Sequence, residues 1–278
     1  PAAAKSFTIL NQKPPDMKHL EKNRLLFGFL GLGSVIVFTT FANQVQQKLQ
    51  EQQHYENSIS SAEIGLKPVI PQNKLLFSED FENNKPLKPF TFTDANAWQI
   101  TEQDGNHALE LHAKSKYSPP VRSPMNIALI KTTEFEDFVL EADLMQTGRE
   151  YGHRDMCLFF GYQDPAHFYY VHLATKADPN AHNIFIVNSE PRRNIATTTT
   201  SGIEWGETAQ WHKVKIVREV QTGSIKVYFD DMQTPIMQAT DTTFGTGHIG
   251  FGSFDDTGQI DNIRIYGQKK QKKQAAGF

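Results

Sequence analysis

The sequence predicts an all-β fold, a two-sheet antiparallel jelly-roll sandwich over residues 73–267, preceded by one N-terminal transmembrane or signal helix. In residues 73–267, short apolar or alternating runs are separated by Gly, Pro, Asn and Asp at intervals of about ten residues, which is typical of sandwiches and barrels. No convincing helical period interrupts these runs, and a stretch of this length suits one domain of this class. An apolar run at residues 25–42 predicts the helix.

The N-terminal part contains a segment that is long enough to cross a membrane. Residues 25–42 read LLFGFLGLGSVIVFTTFA, without a charge, and a bilayer core requires roughly 17–25 such residues. The basic leader at residues 1–24 predicts a cytoplasmic N-terminus, with everything after Ala42 outside the cytoplasm. We favour an uncleaved signal anchor, although Thr40-Phe41-Ala42 resembles the cleavage site of a signal peptide.

The other segments outside the sandwich are polar. Residues 43–72 are rich in Gln and are interpreted as a stalk and linker, and residues 268–278 as a basic, disordered tail. A net charge of −3 argues against nucleic-acid binding, which requires a basic face. The single cysteine, Cys157, excludes an intrachain disulfide, which favours a bacterial cell envelope over a small animal secreted module. We therefore expect an extracytoplasmic protein, periplasmic or on the outer surface, anchored or secreted.

Short strands fill the predicted domain. The clearest hairpin is VKIVREVQTGSIKVYFDD, where Val214 and Ile216 alternate with Lys215 and a Gln-Thr-Gly turn joins the two strands. The predicted strands are 75–81, 97–102, 107–113, 127–131, 135–146, 155–162, 167–174, 183–188, 211–219, 224–230, 247–254 and 260–266.

Several of these segments resemble a known superfamily. They are LFSEDFEN within 75–83, WQITEQDGNHALELH at 98–112, FEDFVLEADL at 135–144, WHKVKIVREVQTGSIKVYFDD at 211–231 and GHIGFGSFDDTGQIDNIRIY at 247–266. In this order they resemble the concanavalin A-like lectin/glucanase superfamily, in particular the laminin-G-like and 3-keto-disaccharide hydrolase-type domains of bacterial envelope proteins. The resemblance implies the sandwich fold but no one chemistry, because the superfamily contains lectins, glycosidases, lyases and adhesion modules.

An unusual density of polar and aromatic side chains marks residues 151–193 as a candidate ligand site. Period two places Phe168, Tyr170 and His172 on one face of a strand, which we predict to line a groove. Tyrosine rings stack on sugar rings, while arginine, aspartate, asparagine and imidazole bind hydroxyl or acidic groups. The predicted ligand-binding residues are Arg122, Arg154, Asp155, Tyr170, His172, His182, Asn183 and Arg192. The alternative is that these residues form ion pairs and core histidines that brace the sheets.

Three functions follow as hypotheses from this site. The first is a carbohydrate-binding module that recognises a polysaccharide or glycan. The second is a glycoside hydrolase or lyase that uses His172, Asp155 and an arginine in the same groove. The third is an adhesion or scaffold domain without a small ligand. Glu141-Ala142-Asp143 begins like the catalytic strand of laminarinases but lacks its final Glu, so glucanase activity is not inferred.

Two metal sites and one tryptophan complete the predictions. In sandwiches of the superfamily that this sequence resembles, the first and last strands lie side by side and often hold a structural Ca²⁺. The resemblance therefore implies a calcium site to which Glu79 or Asp80 and Asp261 would supply oxygens. A metal centre of His153, His172 and His182 matches no known zinc spacing and is disfavoured. Trp98, Trp205 and Trp211 are expected to pack in the core or at an edge of the sandwich, and of the three Trp205, in a glycine-flanked loop, has the best claim to a ligand contact.

Overall fold

The computed structural model describes residues 74–267. The predicted leader at 1–24, membrane segment at 25–42, stalk at 43–72 and tail at 268–278 lie outside the described residues. Between Lys74 and Gly267 no helix is both long and apolar enough to cross a bilayer.

The described chain forms short strands throughout, with one turn of 3₁₀-helix at Ala95–Ala97. In chain order the strands are β1 (Lys74–Glu79), β2 (Phe90–Phe92), β3 (Trp98–Gln103), β4 (Asn106–Leu111), β5 (Asn126–Ile130), β6 (Phe138–Gln146), β7 (Asp155–Asp164), β8 (His167–Ala174), β9 (Asn183–Asn188), β10 (Arg193–Asn194), β11 (Ala196–Thr199), β12 (Trp211–Glu219), β13 (Ser224–Phe229), β14 (Met237–Thr240), β15 (His248–Ser253) and β16 (Gly258–Gly267).

These strands form two antiparallel sheets, so the predicted two-sheet sandwich is confirmed. The nine-stranded sheet has the order β11-β14-β13-β12-β6-β16-β4-β3, and β1 pairs with β16. The seven-stranded sheet has the order β10-β9-β8-β7-β15-β5-β2. The strands β2, β10, β11 and β14, two to four residues each, were not predicted, because such short segments carry too few residues to show a period and exist only through their pairing partners.

The main core lies between the two sheets and contains the apolar positions of the alternating strands. Val214 and Ile216 of β12 are buried there, as their alternation with Lys215 predicts. Leu140 of β6 and Val171 of β8 join them from the centres of the two sheets. Each Å² of apolar surface that is removed from water stabilises the fold by about 25 cal/mol. This hydrophobic burial is the main contribution that holds the two sheets together.

Trp205 packs in the core, as expected for the tryptophans, and its claim to a ligand contact is not supported. Its side chain is only 1% exposed and belongs to the core, where it contacts His212 and Phe229 edge to face at 5.5 and 5.3 Å. Trp98 is buried too, whereas Trp211, at the start of β12, keeps 40% of its surface exposed. A loop position next to glycine therefore did not identify the tryptophan that faces solvent.

Candidate functional site

A polar depression lies on the outer face of the nine-stranded sheet. Its volume is about 470 Å³, and it spans β3, β4, β16, β6 and the beginning of β12. A second depression of about 390 Å³ adjoins it and shares Asp143 and Asn262 with it. The residues that line the first are Thr101, Gln103, Asp104, Asn106, Ala108, Asp143, Met145, Ala209, Trp211, Gln259, Asp261 and Asn262. We call this surface the sheet depression.

Two carboxylates lie directly opposite each other in the sheet depression. Asp143 of β6 and Asp261 of β16 are register partners, an arrangement that like charges make unfavourable by themselves. A β-bulge follows Asp261, and Asn262 within it adopts a φ of 50°, the left-handed region in which asparagine is one of the few tolerated residues. The bulge turns the amide of Asn262 towards both carboxylates, and its Nδ2 donates to Asp143 at 3.0 Å and to Asp261 at 3.4 Å.

Hydrogen bonds hold this pair in place but leave it without full charge compensation. Nδ2 of Asn106 donates to Asp261 at 3.0 Å, and Nζ of the exposed Lys213 lies 3.3 Å from Asp143. Asp261 is 3% exposed, and its burial raises its pKa, opposed by the bonds from Asn106 and Asn262 and reinforced by the charge of Asp143. A buried carboxylate without a cationic partner is costly, which makes it a candidate for binding an external donor.

The sheet depression has the chemical composition that a sugar requires. Carboxylates accept hydrogen bonds from hydroxyl groups, and the amides of Asn106 and Gln259 can both donate and accept. Trp211, half exposed at one side, offers a flat apolar surface against which a sugar ring can stack. Periodicity predicts that these side chains face outward, but only the cross-strand register shows that they come together.

The residues predicted to bind a ligand lie mostly elsewhere and are mostly buried. Six of them are at most 4% exposed: Arg154, Asp155, Tyr170, His172, His182 and Asn183. The predicted face of Phe168, Tyr170 and His172 lies on the outer side of the seven-stranded sheet, where Phe168 and Tyr170 belong to a second buried apolar cluster with Phe159 and Phe185. The expected open groove over this face is therefore not found among residues 74–267, and this part of the prediction is corrected.

A subset of the predicted residues does meet on that face. Nε2 of His172 lies 3.2 Å from Oδ2 of Asp155, and Nδ1 of His172 donates to the carbonyl of Asn180 at 3.1 Å. Nη2 of Arg192 donates to the same carbonyl at 3.1 Å, and the Arg192 guanidinium stacks over Phe254 at 4.3 Å. The backbone carbonyl of Arg122 accepts the Arg192 N–H. Asn183 is the register partner of His172 and so belongs to the same face.

The remaining predicted residues act as structural braces. Arg154 donates to the Gln146 side chain at 2.7 Å and to the carbonyl of Gly206 at 2.8 Å. His182 accepts the Ala174 N–H and contacts the Thr200 hydroxyl at 2.9 Å, and burial lowers its pKa to about 4. Among the described residues, the three histidines considered for a metal, His153, His172 and His182, do not form a cluster of potential ligands with one another. For Arg154 and His182 these contacts agree with the alternative interpretation, in which the polar residues brace the sheets.

The residues predicted to bind calcium do not form one cluster. The first and last strands, β1 and β16, do lie side by side, as expected. However, Oε1 of Glu79 accepts the N–H of Phe81 and the amide of Asn83, and Oδ1 of Asp80 accepts the N–H of Glu82. Asp261 faces the sheet depression instead, and no described group of three or more potential ligands includes these carboxylates. A calcium ion here stays a prediction without geometric support.

Comparison with known proteins identifies no family for this chain. No protein-family model matches it, and no curated protein shows significant similarity. Among solved structures, a carbohydrate-binding module from Bacillus subtilis is 18% identical, with 64% of this chain and 95% of that chain covered and a TM-score of 0.45. A Bacillus subtilis protein of unknown function with a galectin-like fold is 12% identical (72% and 100% covered, TM-score 0.48). A Bauhinia forficata lectin in complex with GalNAc is 12% identical (70% and 98% covered, TM-score 0.42).

Proposed function

We propose that this domain is a carbohydrate-binding module that holds a glycan in the sheet depression. The observation that carries the proposal is the opposed pair Asp143 and Asp261, which lines an open depression beside the half-exposed indole of Trp211. A water-facing sheet surface gains nothing from two neighbouring carboxylates. A ligand rich in hydroxyl groups gives both of them donors, and the indole adds stacking.

The proposed binding mode uses three kinds of contact. Carboxylate oxygens of Asp143 and Asp261 accept hydroxyl hydrogens, in bonds that are stronger than neutral ones because the acceptor is charged. Amides of Asn106 and Gln259 line the same surface and fix the orientation of the ring. Trp211 covers one face of the sugar. The adjoining depression, between Glu141, Lys213 and Arg264, extends the surface for a further sugar unit.

A second candidate is a glycoside hydrolase acting at the same place. Its support is that Asp261 and Asp143 face one depression and that burial raises the pKa of Asp261 above its usual value. A carboxyl group that keeps its proton can protonate a leaving group, while an ionised partner acts as nucleophile or base. Turnover separates this candidate from simple binding: product release from an oligosaccharide that stops in Asp261→Asn favours the enzyme.

We also propose that the domain works outside the cytoplasm. The proposal depends on the apolar segment at residues 25–42 and its basic leader. An extracytoplasmic position would give the sheet depression access to polysaccharides of the envelope or its surroundings, and concanavalin A-like membership would fit that setting.

The test is a glycan-array screen followed by titration of the best ligand with matched variants. Trp211→Ala and Asp261→Asn should weaken binding about tenfold or more, since a lost stacking or charged contact is worth about 1.4 kcal/mol. Leu75→Ala is the control, because Leu75 is the other large apolar side chain among residues 74–267 that is exposed. It should bind like the unchanged protein, and all three variants should keep their Tm within a few degrees.

Other results of the binding measurements would place the glycan site elsewhere or would exclude glycan binding. Binding that survives Trp211→Ala and Asp261→Asn but is lost in Arg192→Ala would place the glycan at the seven-stranded sheet, among the residues predicted from the sequence. Absence of both binding and turnover across neutral and acidic glycans would leave the adhesion or scaffold hypothesis.

A further inference from the structure

Three side chains with metal-binding atoms meet on the outer face of the seven-stranded sheet. Cys157 of β7 is the register partner of His172 of β8, and Asp155 precedes Cys157 by two residues, so all three share one face. Their potential ligand atoms all lie within 4.8 Å of one another, and all three residues are buried. Sγ of Cys157 is 3.1 Å and Nε2 of His172 is 3.2 Å from Oδ2 of Asp155.

We propose that Asp155, Cys157 and His172 bind a zinc ion. A thiolate, an imidazole and a carboxylate form the mixed sulfur, nitrogen and oxygen set that Zn²⁺ accepts, whereas Ca²⁺ and Mg²⁺ require oxygen ligands. With metal–ligand distances of about 2.0–2.3 Å, the edges of a zinc tetrahedron are about 3.3–3.5 Å long. The observed separations of 3.1 and 3.2 Å are close to such edges. The site is distinct from the sheet depression and from the proposed glycan.

The imidazole of His172 supplies the independent indication of a missing ligand. Its Nε2 is buried and makes no hydrogen bond among the described residues, and its ion-pair partner, Oδ2 of Asp155, lies 3.2 Å away. A buried nitrogen without a hydrogen-bond partner destabilises the folded state. A metal ion shared by Nε2, the carboxylate and the thiolate removes that cost.

The surrounding groups orient the three ligands as in a metal site. Nδ1 of His172 donates to the carbonyl of Asn180 at 3.1 Å, the usual outer contact of a metal-bound histidine, which leaves Nε2 free for the ion. Oδ1 of Asp155 accepts the Ser253 hydroxyl at 2.8 Å, and its Oδ2 accepts the N–H of Phe254 at 3.0 Å. Three protein ligands are the number found where zinc keeps a fourth position for water.

The charges near the three ligands are compatible with a divalent cation. Asp155 and a Cys157 thiolate carry two negative charges, which Zn²⁺ neutralises, and the thiol proton passes to bulk water as the metal binds. The Arg192 guanidinium lies close by, with Nε and Nη1 lacking partners among the described residues. Burial and the neighbouring Asp155 carboxylate raise the pKa of the Cys157 thiol, and the charge of Arg192 acts in the opposite direction.

The test is a Co²⁺ titration of the full chain after removal of bound metal with a chelator. Thiolate bound to cobalt gives a charge-transfer absorption in the near ultraviolet, and Cys157 is the only cysteine of the chain, so the band has one possible source. We expect the band to saturate at one ion per chain and to disappear when Zn²⁺ is added. Zn²⁺ should also raise the Tm of the metal-free protein. A folded, metal-free protein that shows no thiolate band and no shift in Tm with Zn²⁺ overturns the proposal.

Variants provide the matched comparison. Cys157→Ser should lose the band and His172→Gln should weaken cobalt binding at least tenfold, while His167→Gln, on the same strand but paired with Asp164, should leave the titration unchanged. If Cys157→Ser does not fold, protection of Cys157 from alkylation by Zn²⁺ in the unchanged protein replaces it. An alkylation rate that Zn²⁺ does not slow contradicts the proposal.

Discussion

Individual side chains in this protein are placed by contacts that their neighbours in sequence do not reveal. His182 adopts a φ of 52° and is completely buried, with one ring nitrogen accepting the Ala174 N–H and the other facing the Thr200 hydroxyl. The sequence makes it a candidate ligand for a sugar, but its partners make it a brace between β8, β9 and the end of β11. Asn262 is the converse case, an unremarkable residue in the sequence that bridges the two carboxylates of the sheet depression.

The buried His182 predicts a loss of stability in acid. Its pKa in the folded protein is about 4, below its usual 6.5, because burial disfavours the imidazolium. Between these values the unfolded chain binds a proton that folded His182 does not, so the free energy of unfolding falls as the pH drops from 6.5 towards 4. We expect this one group to contribute about 2–3 kcal/mol of the loss, measured by urea unfolding at several pH values. His182→Gln should flatten the slope in that window, and exposed His112→Gln should not; equal slopes for all three proteins would contradict the assignment.

Strands of this sandwich are defined by alternation where they are long and by their partners where they are short. The β12–β13 hairpin lies in the nine-stranded sheet, with Val214 opposite Phe229 and both in the core. On β15, position 252 requires glycine, because a Cβ there would lie 1.8 Å from the carbonyl oxygen of Asn126 on β5. No local pattern predicts that contact, because the two residues are joined only by sheet pairing.

The register of the β12–β13 hairpin predicts that an introduced charge destabilises the domain strongly on the core-facing side of the strands and little on the exposed side. Val214→Asp places a carboxylate between the sheets, where Val214 is 2% exposed, and should cost several kcal/mol, on the order of the whole folding margin. Lys226→Asp, at an exposed position of the partner strand, should change the free energy of unfolding by less than about 1 kcal/mol. Urea unfolding monitored by circular dichroism measures both. A Val214→Asp protein as stable as Lys226→Asp would show that the assigned faces are reversed.

At the scale of the whole molecule, the two-sheet sandwich has two unlike outer faces. The nine-stranded sheet bears the open sheet depression, while the outer face of the seven-stranded sheet carries a buried aromatic cluster and the proposed zinc ligands. A binding function and a stabilising metal can therefore occupy different sheets of one domain, since the hydrogen bonds of each site are confined to its own face.

The orientation of the whole chain is the last prediction. Because residues 25–42 are apolar and follow a basic leader, the sandwich should lie outside the cytoplasm. Protease added to intact spheroplasts should digest the domain while a cytoplasmic marker protein survives. Digestion that begins only after the membrane is dissolved would reverse the orientation.

The sequence by itself determined the fold class and most of the long strands, because alternation of apolar residues is a local property that reports which side of a strand is buried. The β12–β13 hairpin and the boundaries of β8 and β9 follow from it directly. Only the tertiary structure decided which outer face is open, because that depends on what packs over it. Alternation at Phe168, Tyr170 and His172 looks the same whether the face meets water or is covered. Likewise Asp143 and Asp261 are far apart in the chain, and only the antiparallel pairing of β6 with β16 places them side by side.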